Sequence, residues 1–317
     1  MPQLRPFRNA DPPRIVHFWE NCANYTWLYR PLTLDLLEQH VLAKIYFDPR
    51  GFILAWEDSQ LVGFAHAGFG PQDDRSAINR EIGIVCIALT ALEEQNTGLL
   101  EELICYCEQY LRENGAKCVF GGGFSDFEPF WLGLYGGPRL PGILDEHQAV
   151  QDAFRELGFQ VSHHTQLYRL SLGDFVYPFA QVPLAHQRNF KVMRLDSPPP
   201  MSWWQASLIS GLELEYYAAV PVAGGAPVAW GSVRSLELSR AAGLGSCVGL
   251  MDLVVHPSCR GRNLEIYLLA EIARHLARQG AHWLEVHAHD WLPASHQLCQ
   301  TLKMNLGPKG TVFLKRL

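Results

Sequence analysis

Arg260, Gly261, Arg262 and Asn263 stand where an apolar strand gives way to a long helix, a placement suited to holding a phosphate. Leu250, Leu253, Val254 and Val255 predict the strand, and Pro257 ends it. Leu264, Leu268, Ile272 and Leu276 recur every fourth residue and predict one face of a helix that stops at Gly280. The first N–H groups of such a helix lack intrahelical partners and sit at the positive end of its dipole. They form an anion cradle, to which two guanidinium groups add charge-assisted hydrogen bonds. Asp252 lies inside the same apolar strand and Glu285 inside the next one, Trp283–His287. A carboxylate in such surroundings is costly to bury unless it is paired or does chemistry, so both are candidates for a general base. The alternative for Asp252 is a place on the wet face of a half-exposed strand. His287 and His289 share a strand face and could chelate a metal, line a pocket or form ordinary hydrogen bonds. No third ligand follows them at a fixed spacing.

The elements that position these residues occur twice. Ile84–Leu89 predicts a strand, 95–98 a turn and Leu99–Asn114 a helix closed by Gly115. Gln95, Gly98 and Gly115 precede Arg260, Asn263 and Gly280 by the same 165 positions, and both helices lead into an apolar strand. A gapless offset across a strand–turn–helix–strand unit reads as a duplicated domain. Gln95 and Gly98 are therefore the cofactor-turn candidates of the first copy, in which Ile87 replaces Asp252.

The segment Val254-Val255-His256-Pro257-Ser258-Cys259-Arg260-Gly261-Arg262-Asn263-Leu264 resembles the acetyl-CoA-binding motif of the GNAT acetyltransferase superfamily, V-x-P-x-x-[QR]-G-x-G-x-[GA]. Arg260 and Gly261 fit it, whereas Asn263 and Glu265 stand where the family has small residues. The resemblance implies an α/β (α+β) fold of two tandem GNAT-like domains, each a mixed, mostly antiparallel sheet flanked by helices. Mycothiol synthases share this two-copy layout. The expected division is 1–172, a degenerate N-terminal domain, and 186–317, a C-terminal domain that binds acyl-CoA.

The implied activity is transfer of an acetyl group from acetyl-CoA, as co-substrate, to the amine of a small molecule, with no metal. In that family a backbone group of the strand before the turn contacts the thioester carbonyl, here Leu253, Val254 or Val255. The turn itself supplies Arg260, Gly261, Arg262, Asn263 and Leu264. The family also carries a tyrosine acid in the helix before the last strand. Ala294–Met304 places Cys299 at that position and Ala149–Phe159 places Phe154, so Cys299 is the acid candidate. Two other readings stay open: a non-catalytic acyl-CoA-binding or sensing module, and a structural protein with both turns inactive.

Along the rest of the chain, helices are expected at Arg14–Cys22, Leu34–Lys44, Gln148–Leu157 and Pro293–Leu302, and hairpins around 57–60 and 223–226. A helix containing Trp203 and Trp204 and a final strand Thr311–Leu317 are assigned to the second copy. The first copy has about twenty extra residues after its fifth strand, rich in Phe, Trp and Tyr. That insertion is expected either to be structural, covering the sheet or meeting the other domain, or to form a lid over the acceptor.

The chain has 317 residues, 48% apolar and 18% charged, a composition that supports packed domains rather than disorder. A net charge of −6 argues against general nucleic-acid binding. No apolar run is long enough to span a bilayer, and the N-terminus lacks the apolar stretch of a signal peptide, so a cytoplasmic protein without membrane partners is expected. A homodimer is an open option. The eight cysteines include no C-x-x-C pair and read as small buried hydrophobes.

Overall fold

The computed structural model describes every residue except Met1, Ala23, Asn24, Thr26, 92–96 and 237–244. The chain divides into two compact units. Unit 1 holds Met1–Thr165, Met201–Gly211 and Pro308–Leu317; unit 2 holds Gln166–Pro200 and Leu212–Gly307. Both are mixed α/β, as expected, but the division at 172 and 186 is not the observed one. No helix among the described residues is long and apolar enough to cross a membrane.

Unit 1 begins with strand β1 (Gln3–Pro6), helix α1 (Pro12–Asn21) and helix α2 (Leu34–Leu37), which continues as a five-residue π turn. Strands β2 (Phe52–Glu57), β3 (Gln60–Pro71) and β4 (Ile78–Thr90) follow in antiparallel register. The hairpin between β2 and β3 forms at 57–60 as predicted. Asp58 and Ser59 take positive φ (47° and 67°), the twist that joins two strands tightly. Helix α3 (Thr97–Glu113) returns the chain to β5 (Cys118–Gly121), which pairs parallel with β4. Leu100, Leu103, Ile104, Cys107 and Leu111 form the buried face of α3. The short β6 (Ile143–Leu144) and helix α4 (Gln148–Glu156) follow, and strand β7 (Gln160–Ser171) carries the chain from unit 1 into unit 2.

In unit 2, helix α5 (Leu184–Asn189) and strand β8 (Phe190–Leu195) lead into the second copy. After helix α6 (Trp203–Ile209) come β9 (Glu215–Pro221), β10 (Ala229–Leu236) and β11 (Cys247–Val255). Helix α7 (Leu264–Arg278), β12 (Trp283–His289), helix α8 (Pro293–Thr301) and β13 (Asn305–Arg316) close the chain. The strand order in this unit is β7-β12-β11-β10-β9-β8. Leu264, Leu268, Ile272 and Leu276 are all buried, so the spacing-four face of α7 is the one packed on the sheet.

Two segments depart from the expected assignment. The later part of β13 pairs antiparallel with β5, from Phe313↔Gly121 to Arg316↔Cys118, so the last strand completes the sheet of unit 1. Helix α6 also belongs to unit 1. Trp204 is fully buried there and stacks on Tyr46 at 5.1 Å. The buried Lys44 donates from Nζ to the carbonyls of Leu208 (2.8 Å) and Ser210 (3.1 Å) at the end of α6. Carbonyls at a helix C-terminus lack intrahelical donors, and a cation there also meets the negative end of the dipole. Lys44→Met, which keeps the aliphatic stem, is expected to destabilise unit 1 by about 1–3 kcal/mol in urea unfolding. A loss below about 0.5 kcal/mol would show that Trp204 alone holds the helix.

Candidate functional site

β11 ends at Val255, and Pro257–Cys259 form a single 3₁₀ turn before α7. Gly261 (φ 70°) and Asn263 (φ 61°) both take left-handed backbone to bring the chain onto the helix. For Gly261 that conformation is free of strain; for asparagine it is tolerated but uncommon. Arg260, Gly261, Arg262 and Asn263 are all exposed, while Leu264 is buried and anchors the first turn. A Cβ built on Gly261 would meet nothing within 4 Å, so the space over the turn is open. Glu265 is half-buried in the first turn, where a carboxylate favours the dipole.

β11 and β12 pair in parallel only from Cys247↔Trp283 to Gly249↔Glu285. Both then continue, to Val255 and His289, without a shared register. The cause lies on the other edge of β11, where the register with β10 shifts between Ser232↔Asp252 and Val233↔Leu250. Met251 is the extra residue, and such a bulge bends its strand and ends regular pairing. The result is a fork. Along its β11 arm Asp252, Leu253 and Val255 are half-buried and Val254 is 36% exposed.

Unit 1 has the same fork at the same repeat positions. The register of β3 with β4 shifts between His66↔Ile87 and Ala67↔Val85, which makes Cys86 the extra residue, 165 positions before Met251. This fork is filled. Gly122 donates its N–H to the Val85 carbonyl (2.9 Å), and the aromatic insertion packs on the open arm. Trp131 and Phe130 are buried; Trp131 donates to His66 Nδ1 (3.1 Å), and Phe130 stacks on that ring at 4.0 Å. Ile87, Ala88, Leu89 and Thr90, the counterparts of Asp252–Val255, are no more than 5% exposed. Gly98 is exposed at the start of α3 with open space beside it, and Gln95 lies outside the described residues.

The acid–base candidates fare differently. Asp252 is in line with Ser232 and Tyr216 across three strands, and Ser232 Oγ lies 3.4 Å from its Oδ2. Burial and the nearby Asp252 push the Tyr216 phenol upward. Glu285 is not the free carboxylate that the sequence offers. It is 3% exposed and accepts from Arg169 Nε at 2.6 Å. Burial raises its carboxyl above the ordinary range while Arg169 draws it back, so Glu285 is half of a buried ion pair. Cys299 is also a correction. It is fully buried in α8, burial pushes its thiol up to about 12, and among the described residues no side chain is hydrogen-bonded to it that could relay a proton. Its counterpart Phe154 stacks on Phe313 as a core residue.

Tyr168 is not legible from the sequence as part of this site, because it falls within 1–172, the range expected for the first copy, whereas it belongs to unit 2. The Tyr168 phenol lies 3.2 Å from His296 Nδ1, and His296 Nε2 lies 3.6 Å from Asp290 Oδ1. Tyr168 is 4% exposed, and burial, helped by Cys299, pushes its phenol upward. A chain of polar groups thus runs from a buried hydroxyl to a half-exposed carboxylate. His289 stacks on Trp291 at 4.2 Å, and among the described residues no group of three His, Cys, Asp or Glu side chains could hold a metal.

No protein-family profile matches the sequence, and no curated protein matches it significantly. Solved structures do share its fold. One is the GCN5-related glucosamine N-acetyltransferase region of a fungal multi-domain GH3 β-N-acetylglucosaminidase, with TM-score 0.70 and 15% identity. That likeness covers 99% of this chain and 38% of the other, so this chain spans well under half of the fungal protein. A tandem GNAT protein from the clavulanic acid biosynthesis pathway gives TM-score 0.65 at 12% identity, covering 100% of this chain and 98% of that one. A GCN5-related N-acetyltransferase from Sphaerobacter thermophilus gives 0.62 at 14%, covering 99% and 95%. The doubled strand–bulge–turn–helix unit and these likenesses lead to one conclusion: this chain has the fold of the tandem GCN5-related N-acetyltransferases.

Proposed function

We propose that unit 2 transfers an acetyl group from acetyl-CoA to the amine of a small molecule, and that unit 1 carries no second active site. The open fork between β11 and β12, ending at an exposed basic turn, supports this reading most directly. The pyrophosphate would sit on the N–H groups that open α7, with Arg260 and Arg262 beside it. The thioester would lie in the fork, its carbonyl polarised by a backbone N–H of Leu253, Val254 or Val255. Asp252 would take a proton from the incoming ammonium, freeing the amine to attack the thioester carbonyl and expel the thiolate. In place of Cys299, Tyr168 would return a proton to the departing thiolate, recharged through His296. The plugged fork of unit 1 leaves one acyl-CoA per chain.

The experiment is a thermal shift with acetyl-CoA, run beside a thiol-release assay over a panel of small amines. A ligand at 100 times its Kd adds about 2.7 kcal/mol to the stability of the state that binds it. The wild type is expected to show that stabilisation and Arg260→Glu to lose most of it, because an attractive charge becomes a repulsive one. No shift in the wild type would rule out an acyl-CoA site. A shift without thiol release over the whole panel would favour a sensing module instead.

A further inference from the structure

His186, on α5 of unit 2, is 8% exposed, and its Nε2 is hydrogen-bonded to the carbonyl oxygen of Arg262 in the basic turn. A carbonyl only accepts, so the imidazole is the donor. Its ring is packed between Phe190 (5.8 Å) and Tyr267 (6.2 Å), and Tyr267 is itself tied by its hydroxyl to the Phe190 carbonyl at 2.9 Å. The imidazole therefore has little room to turn away. In a trans peptide the C=O and the following N–H point in opposite directions. Holding the Arg262 carbonyl toward the buried imidazole therefore turns the Asn263 N–H outward, over the exposed turn.

This orientation has a cost that Asn263 makes visible. Its backbone, φ 61° and ψ 25°, lies in the left-handed region that suits glycine and that asparagine occupies less readily. A flip of the 262–263 peptide would carry that φ back to negative values and relieve the strain. The same flip would swing the Arg262 carbonyl into the place of the N–H, setting an oxygen against an incoming phosphate. We propose that His186 is a positioning residue that prevents this flip, and so allows an asparagine where the turn would otherwise call for glycine. The proposal rests on the acyl-CoA reading for its consequence in binding, but its claim about the turn stands on the protein alone.

Three variants separate the possibilities. His186→Phe keeps a ring between Phe190 and Tyr267 and loses the donor; His186→Gln keeps a donor; His186→Phe with Asn263→Gly removes the strain that drives the flip. With coenzyme A as the calorimetric probe, His186→Phe is expected to bind about tenfold more weakly, the size of one net hydrogen bond. His186→Gln should lie near wild type, and the double variant should recover most of the loss. In turnover the change should fall on KM for acetyl-CoA, with kcat at saturation unchanged.

A second readout needs no ligand. The Asn263 N–H belongs to the flipping peptide and in the unflipped state lies over the exposed turn, so its exchange reports the flip directly. Its hydrogen exchange should slow in His186→Phe, where the flip turns it inward, and regain the exposed rate in the double variant. Unchanged exchange, or coenzyme A binding within about twofold of wild type in His186→Phe, would overturn the proposal. Wild-type protein that fails to bind coenzyme A at all would instead remove the acyl-CoA reading, with the exchange result still deciding what His186 does.

Discussion

Asp252→Asn is expected to lower kcat by about 10²–10⁴ while leaving KM for acetyl-CoA near its wild-type value. Asparagine has nearly the same shape and still accepts a hydrogen bond from Ser232 Oγ, 3.4 Å away. The substitution therefore removes proton acceptance and little else. On the proposed mechanism it acts on a step after the thioester is bound, since the basic turn and the β11 backbone, which would hold the cofactor, are untouched. The expected split follows: a chemical step slowed with binding intact. Steady-state kinetics with the best amine of the panel measure it. A kcat within about threefold of wild type would take Asp252 out of the mechanism and leave it as a residue of the half-exposed face. The thermal shift with acetyl-CoA should be unchanged in the same variant, which shows that the site itself has survived.

Arg139→Met is expected to destabilise unit 1 by about 3–5 kcal/mol near neutral pH. Glu128 is fully buried in the aromatic insertion. It accepts from Arg139 Nε at 2.6 Å and from the Leu140 N–H at 2.7 Å. Removing the guanidinium leaves a carboxylate with no counter-charge in a dry interior, which costs far more than the pair itself contributes. The pH dependence has a definite sign. Burial pushes the Glu128 carboxyl up from 4.5 to about 6 in the folded protein, against the pull of Arg139. The folded state therefore binds a proton more readily than the unfolded chain between those two values. Stability from this group is fully present below about 4.5 and is lost as pH rises through about 6. In Arg139→Met the neutral carboxyl needs no cation, so the deficit should shrink as the solution is acidified. Urea unfolding of both proteins at several pH values tests this. A deficit that stays constant or grows on acidification would show that lost packing, rather than the stranded charge, is the cause.

Much of the fold could be read from periodicity. The buried stripe of α7 and the hairpin at 57–60 follow from local spacing, which depends only on neighbours in the chain, and the 165-residue repeat follows from comparing the chain with itself. The repeat even holds for Cys86 and Met251, the two bulge residues. Strand assignment was not legible in the same way. An apolar run shows that β13 is buried, but its partner is chosen by long-range pairing, and Phe313 finds Gly121 in unit 1. The same limit hid α6, whose place depends on Lys44 more than 160 residues earlier. The site was half legible. The exposed turn at 260–263 and the Asp252 strand lie where the residues indicated. Glu285 reads as a free carboxylate because Arg169, which neutralises it, is 116 residues away and falls within 1–172, the range expected for the other copy. Cys299 was misjudged because thiol acidity is set by surroundings that spacing does not reveal.

The pairing of residues 313–316 with β5 also bears on the order in which the polypeptide matures during synthesis. A ribosome releases the chain from its beginning, and most domains settle as they emerge. Residues 1–165 cannot do so fully, because one edge of their sheet stays bare until codon 316 has been read. Through that interval β5 presents unsatisfied amide groups of the kind that invite pairing with foreign chains. The half that is translated first is thus the half that must be completed last.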